Sequence, residues 1–219
     1  MPQLRSPLRI LAAAAALALL APAAARAAEP PARKAPIALA APSDLAAAAA
    51  AVEQATGAKG EKLPFGDVPL AEGRSFAVEP ALAERLLEGS HAVYKKAGLY
   101  LFRYERSYGM AGEKDKLGLL KTADHRAVVL RVGTAQPRHG LTSEKIVAWL
   151  DGLAKDEPFD LWEVGPDYVA GRFEKSPKDA AAVAKRCAEF APDLVAGRAS
   201  TLDLLAAEIK TNRTLYLIW

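Results

Sequence analysis

The chain closes on Thr214 to Trp219 (TLYLIW), an extended run that is apolar at odd and even positions alike. Successive side chains of a strand point to opposite faces, so a run of this kind is stable when both faces are covered. The expectation is a strand inserted between neighbours inside a sheet, and the rest of the chain must supply those neighbours. It must do so without covalent help, because the one cysteine, Cys187, cannot close an internal disulfide. Cys187 falls with Val183 and Phe190 on the apolar face of a helix and reads as a small buried hydrophobe.

The neighbours are legible in the spacing. Ile146, Leu150 and Leu153 recur at i, i+4 and i+7 on a helix from Thr142 to about Lys155, which Pro158 stops. Phe159 to Val164 and Tyr168 to Phe173 make a hairpin about Gly165-Pro166-Asp167. Ser176-Pro177-Lys178-Asp179 starts a helix with Ser176 as cap and Pro177 at the first helical position. Ser200-Thr201-Leu202-Asp203 starts another, with Leu202, Leu205, Ala206 and Ile209 as its apolar face. Upstream, Glu79-Pro80 opens a short helix ended by Gly89, and Ser90 to Ala97 is a second short helix stopped by Gly98. Leu99 to Tyr104 (LYLFRY) is a strand, residues 105–116 a polar loop, and Leu117 to Lys121 a short strand. Asp124 to Val132 suits helix or strand, with helix preferred, and Gly133 to Gly140 is a loop. A helix capped by Ser43 runs to about Thr56 and stops at Gly57.

The order strand, helix, strand, strand, helix, helix, strand approaches the split βαβ plan, with one helix added before the last strand. Leu99 to Tyr104 or Leu117 to Lys121 is the opening strand. The fold class expected is therefore α+β: a single domain over residues 43–219, a ferredoxin-like split βαβ-type sheet with helices packed on one face and extra N-terminal helices.

Residues 1–27 have the layout of a cleavable Sec-type signal peptide: Arg5 and Arg9, an apolar run from Ile10 to Leu20, and the small-x-small site Ala25-Arg26-Ala27. The run is shorter than the ~20 residues that span a bilayer. Cleavage is expected between Ala27 and Ala28, giving a periplasmic or secreted protein with no membrane insertion afterwards. Residues 28–42, with prolines at 30, 31, 36 and 42, read as an Ala/Pro-rich linker. The chain has 29 Lys and Arg against 26 Asp and Glu. Three of the basic residues, Arg5, Arg9 and Arg26, and no acid lie in the leader, so the remainder is balanced. Nucleic-acid binding draws on clustered basic charge, which this pattern does not offer; Lys95-Lys96 reads as a solvated helix end.

Five short patterns recur together in the C-terminal half: Ile146 to Leu150 (IVAWL), Pro158-Phe159, Gly171-Arg172-Phe173, Phe190 to Asp193 (FAPD) and Leu215 to Trp219 (LYLIW). In this set the chain resembles the bacterial DUF4253 family, a domain of unknown function, over roughly residues 76–219. Ala191 stands where that family usually has Cys, and Ile218 where it has Trp. The resemblance implies an α+β domain and names no activity.

Chemistry-bearing motifs are sparse. There is no Gly-x-Ser-x-Gly elbow, HExxH, CxxC or phosphate-cradling glycine loop, and His91, His125 and His139 lie far apart. No catalytic, metal-binding or cofactor-binding residue is assigned, and no cofactor. Glu163 and Arg172, on the two hairpin arms, are the pair best suited to orient a ligand. An exposed cross-strand ion pair worth about 0.2–1 kcal/mol is the plainer reading. Trp149, Trp162 and Trp219 read as core or half-buried sheet-packing residues, and Asp193 as a helix terminator or turn cap. Two functions remain. One is a non-catalytic module that binds a protein or small ligand, in one version an immunity or inhibitor protein. The other is a hydrolase or other enzyme whose site only the fold assembles, from among Asp124, His125, His139, Glu163, Arg172 and Asp193. A cleft in which His125 or His139 meets a carboxylate would favour the enzyme.

Overall fold

A computed structural model describes residues 34–65, 73–108, 112–197 and 201–219. The expected signal peptide over residues 1–27, residues 28–33 of the expected linker, residues 109–111 of the polar loop and Ser200 of the last helix start lie outside the described residues. Seven strands form one sheet: β1 (Glu61–Lys62), β2 (Gly73–Val78), β3 (Tyr100–Glu105), β4 (Asp115–Leu120), β5 (Phe159–Val164), β6 (Tyr168–Phe173) and β7 (Thr214–Ile218). The helices are α1 (Leu45–Thr56), α2 (Pro80–Lys96), α3 (His125–Val132), α4 (Ser143–Asp156), α5 (Ala180–Phe190), α6 (Asp193–Gly197) and α7 (Leu202–Asn212). The protein is a single α+β domain.

Strand order is β1-β2-β4-β3-β5-β6-β7, antiparallel throughout except for the parallel contact of β3 with β5. Because β4 is antiparallel to both β2 and β3, it lies between two parallel strands that α2 connects, which is the split βαβ unit. The opening strand of that unit is β2, which the sequence reading passed over; the two-residue β1 was missed as well.

The helices expected on one face are divided between two. Phe76 and Val78 of β2, Leu101 of β3 and Leu117 and Leu119 of β4 pack against Ala48 and Val52 of α1 and Ala83, Leu86, Leu87 and Tyr94 of α2. On the opposite face Tyr100, Phe102, Leu161, Val169, Phe173, Leu215 and Leu217 pack with Ile146, Leu150, Val183, Cys187, Leu205 and Ile209. The strand buried on both faces is β3, where Tyr100 to Tyr104 are all buried. The terminal strand does not hold that place. At the sheet edge, β7 pairs with β6 alone, and its burial alternates, with Leu215, Leu217 and Trp219 inward and Tyr216 and Ile218 half-exposed. Tyr216 looked like a core residue because a tyrosine ring covers apolar surface while its hydroxyl stays wet.

Local chemistry accounts for the other differences. Helix α2 continues through Gly89, which would collide with the Ile37 carbonyl if it carried a Cβ. The glycine admits a backbone strap rather than ending a helix. The Ile37 amide donates to the Arg85 carbonyl at 2.9 Å, and Ser90 Oγ donates to the Ile37 carbonyl at 2.8 Å and accepts from the Leu39 amide at 3.0 Å. This end of the stretch read as linker is therefore docked on α2. Asp44 rather than Ser43 caps α1, accepting from the Ala47 amide at 2.8 Å. Asp179 rather than Ser176 caps α5, while Ser176 Oγ donates to the Lys210 carbonyl. Asp124 caps α3, and the β5–β6 hairpin forms at Gly165-Pro166-Asp167 as read. No helix among the described residues is long and apolar enough to cross a membrane.

Candidate binding pocket

Among the described residues no helix is laid across the α2-side face of β5, β6 and β7. A bulge in β5 shifts the register against β6 between Leu161 and Glu163. Phe159 and Leu161 point into the core, and so does Val164 after the bulge, so Trp162 and Glu163 both turn toward the α2 side. Ala170, Arg172, Thr214 and Tyr216 join them from β6 and β7 around a pocket of about 500 Å³. Ala170 leaves the floor low beneath the larger side chains, and Gly171 is required where β5 and β6 approach, because a Cβ there would collide with the Asp160 carbonyl.

One rim is a buried charge network. Arg103, on β3, reaches Glu84 of α2 at 2.6 Å and Glu163, its register partner on β5, at 3.7 Å. Its Nε stands 3.2 Å from Asp115 Oδ2, an ion contact without hydrogen-bond alignment. Asp115 accepts on its other oxygen from the Ser107 amide and hydroxyl at 2.9 and 3.0 Å. Arg106 donates from Nε to Glu163 Oε2 at 3.1 Å and pairs with Oε1 through Nη2. Arg103 and Asp115 are only 2% and 1% exposed, so each needs the other's charge.

Asp160 lines an adjoining cleft that shares Trp162 and Arg172 with this pocket. Its oxygens accept from His91 Nε2 at 3.1 Å and from Lys95, both on α2. His91 also directs Nδ1 at the Leu101 carbonyl at 2.6 Å, so the buried ring faces an acceptor at each nitrogen. Burial pushes the Asp160 carboxyl upward, but the hydrogen bonds and positive charge of His91 and Lys95 together outweigh it and hold the group below the usual carboxylate range.

The pair singled out in the sequence is brought to one pocket but not to each other. Asp160, not Glu163, stands opposite Arg172, and the Arg172 guanidinium lies 4.7 Å from the centre of the Trp162 ring. Arg172 makes no ion pair among the described residues. Trp162 is thus a pocket wall, whereas Trp149 stacks on Phe190 at 4.5 Å and Trp219 is buried in the core.

The remaining candidates are scattered. Asp124 is a helix cap. His125 Nε2 lies 3.7 Å from Asp151, whose carboxylate already accepts from Arg126, and burial lowers the His125 pKa, favouring the neutral ring. His139 and Asp193 are 3.9 Å apart on an exposed surface. Cys187 is buried, its thiol pushed up to about 12 by burial, which leaves it protonated and unreactive at neutral pH. Among the described residues no group of three or more His, Cys, Asp or Glu is placed to hold a metal ion.

The floor and far wall of the pocket lie in a stretch that matches a family model. Residues 116–219 match the DUF4253 family, a domain of unknown function. The DUF4253 region begins inside β4, later than the start near residue 76 suggested by the resemblance. It contains Trp162, Glu163, Arg172, Thr214 and Tyr216, while Glu84, Arg103 and Arg106 come from the chain before it. No curated protein and no solved structure matches the chain.

Sequence reasoning missed Arg103, Arg106, Asp115 and Asp160, and with them four residues that share α2. Glu84, Glu88, His91 and Lys95 recur at i, i+4, i+7 and i+11, one polar stripe along the helix. Dividing α2 at Gly89 hid that periodicity.

Proposed function

We propose that the chain is an exported, non-catalytic binding module whose small ligand sits in the pocket over β5, β6 and β7. One observation carries this reading. The carboxylates that line the pocket, Glu84 and Glu163, are paired with Arg103 and Arg106, and nearby Asp160 is held by His91 and Lys95, while the wall presents the rings of Tyr108, Trp162 and Tyr216 and a guanidinium, that of Arg172, outside any ion pair among the described residues. Acid–base catalysis uses a group free to exchange a proton with substrate, whereas recognition needs shape, rings and fixed donors. The size also suits a ligand, since small-molecule sites are about 300–1,000 Å³. Export is supported by the leader pattern over residues 1–27.

Ligand-observed NMR of the purified protein against a fragment mixture tests the binding reading. Hits should compete for one site, disappear in Trp162→Ala and remain chemically unchanged on prolonged incubation. Hits indifferent to Trp162, or a fragment turned over, would contradict it. For export, mass spectrometry of a periplasmic fraction should find a chain beginning at Ala28; an intact Met1 species confined to membranes would contradict cleavage.

A further inference from the structure

We infer that the pocket takes a ligand bearing a single carboxylate on an apolar or aromatic body, with Arg172 as the group that receives the carboxylate. The inference rests on the pocket reading above and adds the chemistry of the occupant. Strand β5 offers Arg172 two carboxylates, and both are engaged elsewhere, while Glu88 of α2 and Glu174 line an adjoining cleft with it. Asp160, directly opposite it on β5, is taken by His91 and Lys95, and Glu163 by Arg103 and Arg106. The guanidinium instead lies over Trp162. A contact with the face of an indole consumes none of the five N–H donors of an arginine, so the stack positions the fork and leaves it open. Thr214, the register partner of Arg172 on β7, places a hydroxyl beside the same spot.

The charge of the surroundings selects the anion. Glu84, Arg106 and Glu163 also line the pocket, and with Arg172 the formal charges balance, so the site offers no surplus positive charge to a doubly charged phosphate and suits an anion carrying one. The planar carboxylate also matches the guanidinium fork with two parallel hydrogen bonds. Beyond the fork the walls are the Trp162 and Tyr216 rings over the small Ala170, which suits a flat or apolar body rather than a sugar or a polyanion.

The test is a titration of the purified protein, followed by ¹H–¹⁵N NMR, with N-acetylphenylalanine, its amide and phenyl phosphate. The acid should shift the Trp162 indole N–H and the Tyr216 amide along one saturable curve, and the amide should bind at least about tenfold more weakly, the worth of one charge-assisted pair. Arg172→Met should lower the affinity for the acid by a similar factor without moving the thermal midpoint, and Arg172→Lys should restore only part of it. Acid and amide binding alike, Arg172→Met binding like the parent, or phenyl phosphate binding more tightly than the acid would overturn the carboxylate assignment and leave the pocket as a binding site. No saturable shift of the pocket signals with any of the three would overturn both. The comparison of acid with amide uses the unaltered protein, so it stands even if a variant folds poorly.

Discussion

On β2, β3 and β4 the face toward α1 and α2 buries Phe76, Val78, Leu101, Leu117 and Leu119. On β5, β6 and β7 the same face carries Asp160, Trp162, Glu163, Arg172, Thr214 and Tyr216. The two halves share one sheet, yet among the described residues a helix covers only the first half on this side. Helix α2 marks the border. Ala83, Leu86 and Leu87 face the core of the first half, while His91 and Lys95 reach Asp160 of the second and Glu84 reaches Arg103, which itself approaches Glu163 of the second. The difference teaches that the second half is not a weaker core. Its opposite face is fully packed by α3, α4, α5 and α7, so its strands are held firmly while their other side stays available for a ligand.

The sharpest way to break this comparison is to remove the packed face of the second half. Deleting Thr214 to Trp219 takes away Leu215, Leu217 and Trp219, each buried and each worth roughly 1.5–3 kcal/mol, a sum comparable to the 5–15 kcal/mol stability of a whole domain. The truncated chain should fail to fold even though β7 is an edge strand. A monomer with a cooperative thermal transition near that of the parent would show that the strand is peripheral.

Next in size is the border. Asp115→Asn leaves Arg103 buried without its full counter-charge and should cost about 3–5 kcal/mol by chemical denaturation. A cost under about 1 kcal/mol would mean that water reaches the network. Two further substitutions separate the faces. Leu150→Ala, at a fully buried position, should cost about 2–5 kcal/mol, whereas Arg172→Met should stay within about 0.5 kcal/mol of the parent. Equal costs would erase the distinction between a structural face and a binding face.

The smallest effect is in acid. Asp160 lies below its ordinary value of 3.8 in the folded state, so its contribution is present above that value and is lost as pH falls through the lower folded one. Thermal midpoints of Asp160→Asn should therefore fall less steeply than those of the parent between about pH 4 and pH 2. Parallel curves would place His91 and Lys95 elsewhere.

Much of the packed face was legible because its signals are local. The stripe of Ile146, Leu150 and Leu153, the hairpin at Gly165-Pro166-Asp167 and the buried Cys187 all follow from spacing within a few residues. The open face was not, for three reasons. The bulge at Trp162 changes which residue meets Arg172, and nothing in an alternating run announces a bulge. Gly89 has the composition of a helix stop, but its cause is the passage of Ile37, more than fifty residues earlier in the chain. The apolar look of the last strand hid its edge position, because Tyr216 and Ile218 serve a half-wet surface as well as they would serve a core. Glu163 and Arg172, expected to face each other as a cross-strand pair, line one pocket without meeting in a bond.

The three tryptophans report on the central claim directly, since one lies on the open face, one on α4 against Phe190 and one in the core. Oxidative footprinting of the folded protein, read residue by residue by mass spectrometry, should modify Trp162 well ahead of Trp219, and added N-acetylphenylalanine should slow Trp162 alone. Trp162 reacting no faster than Trp219 would mean that the α2-side face of β5, β6 and β7 is closed, and would contradict the account.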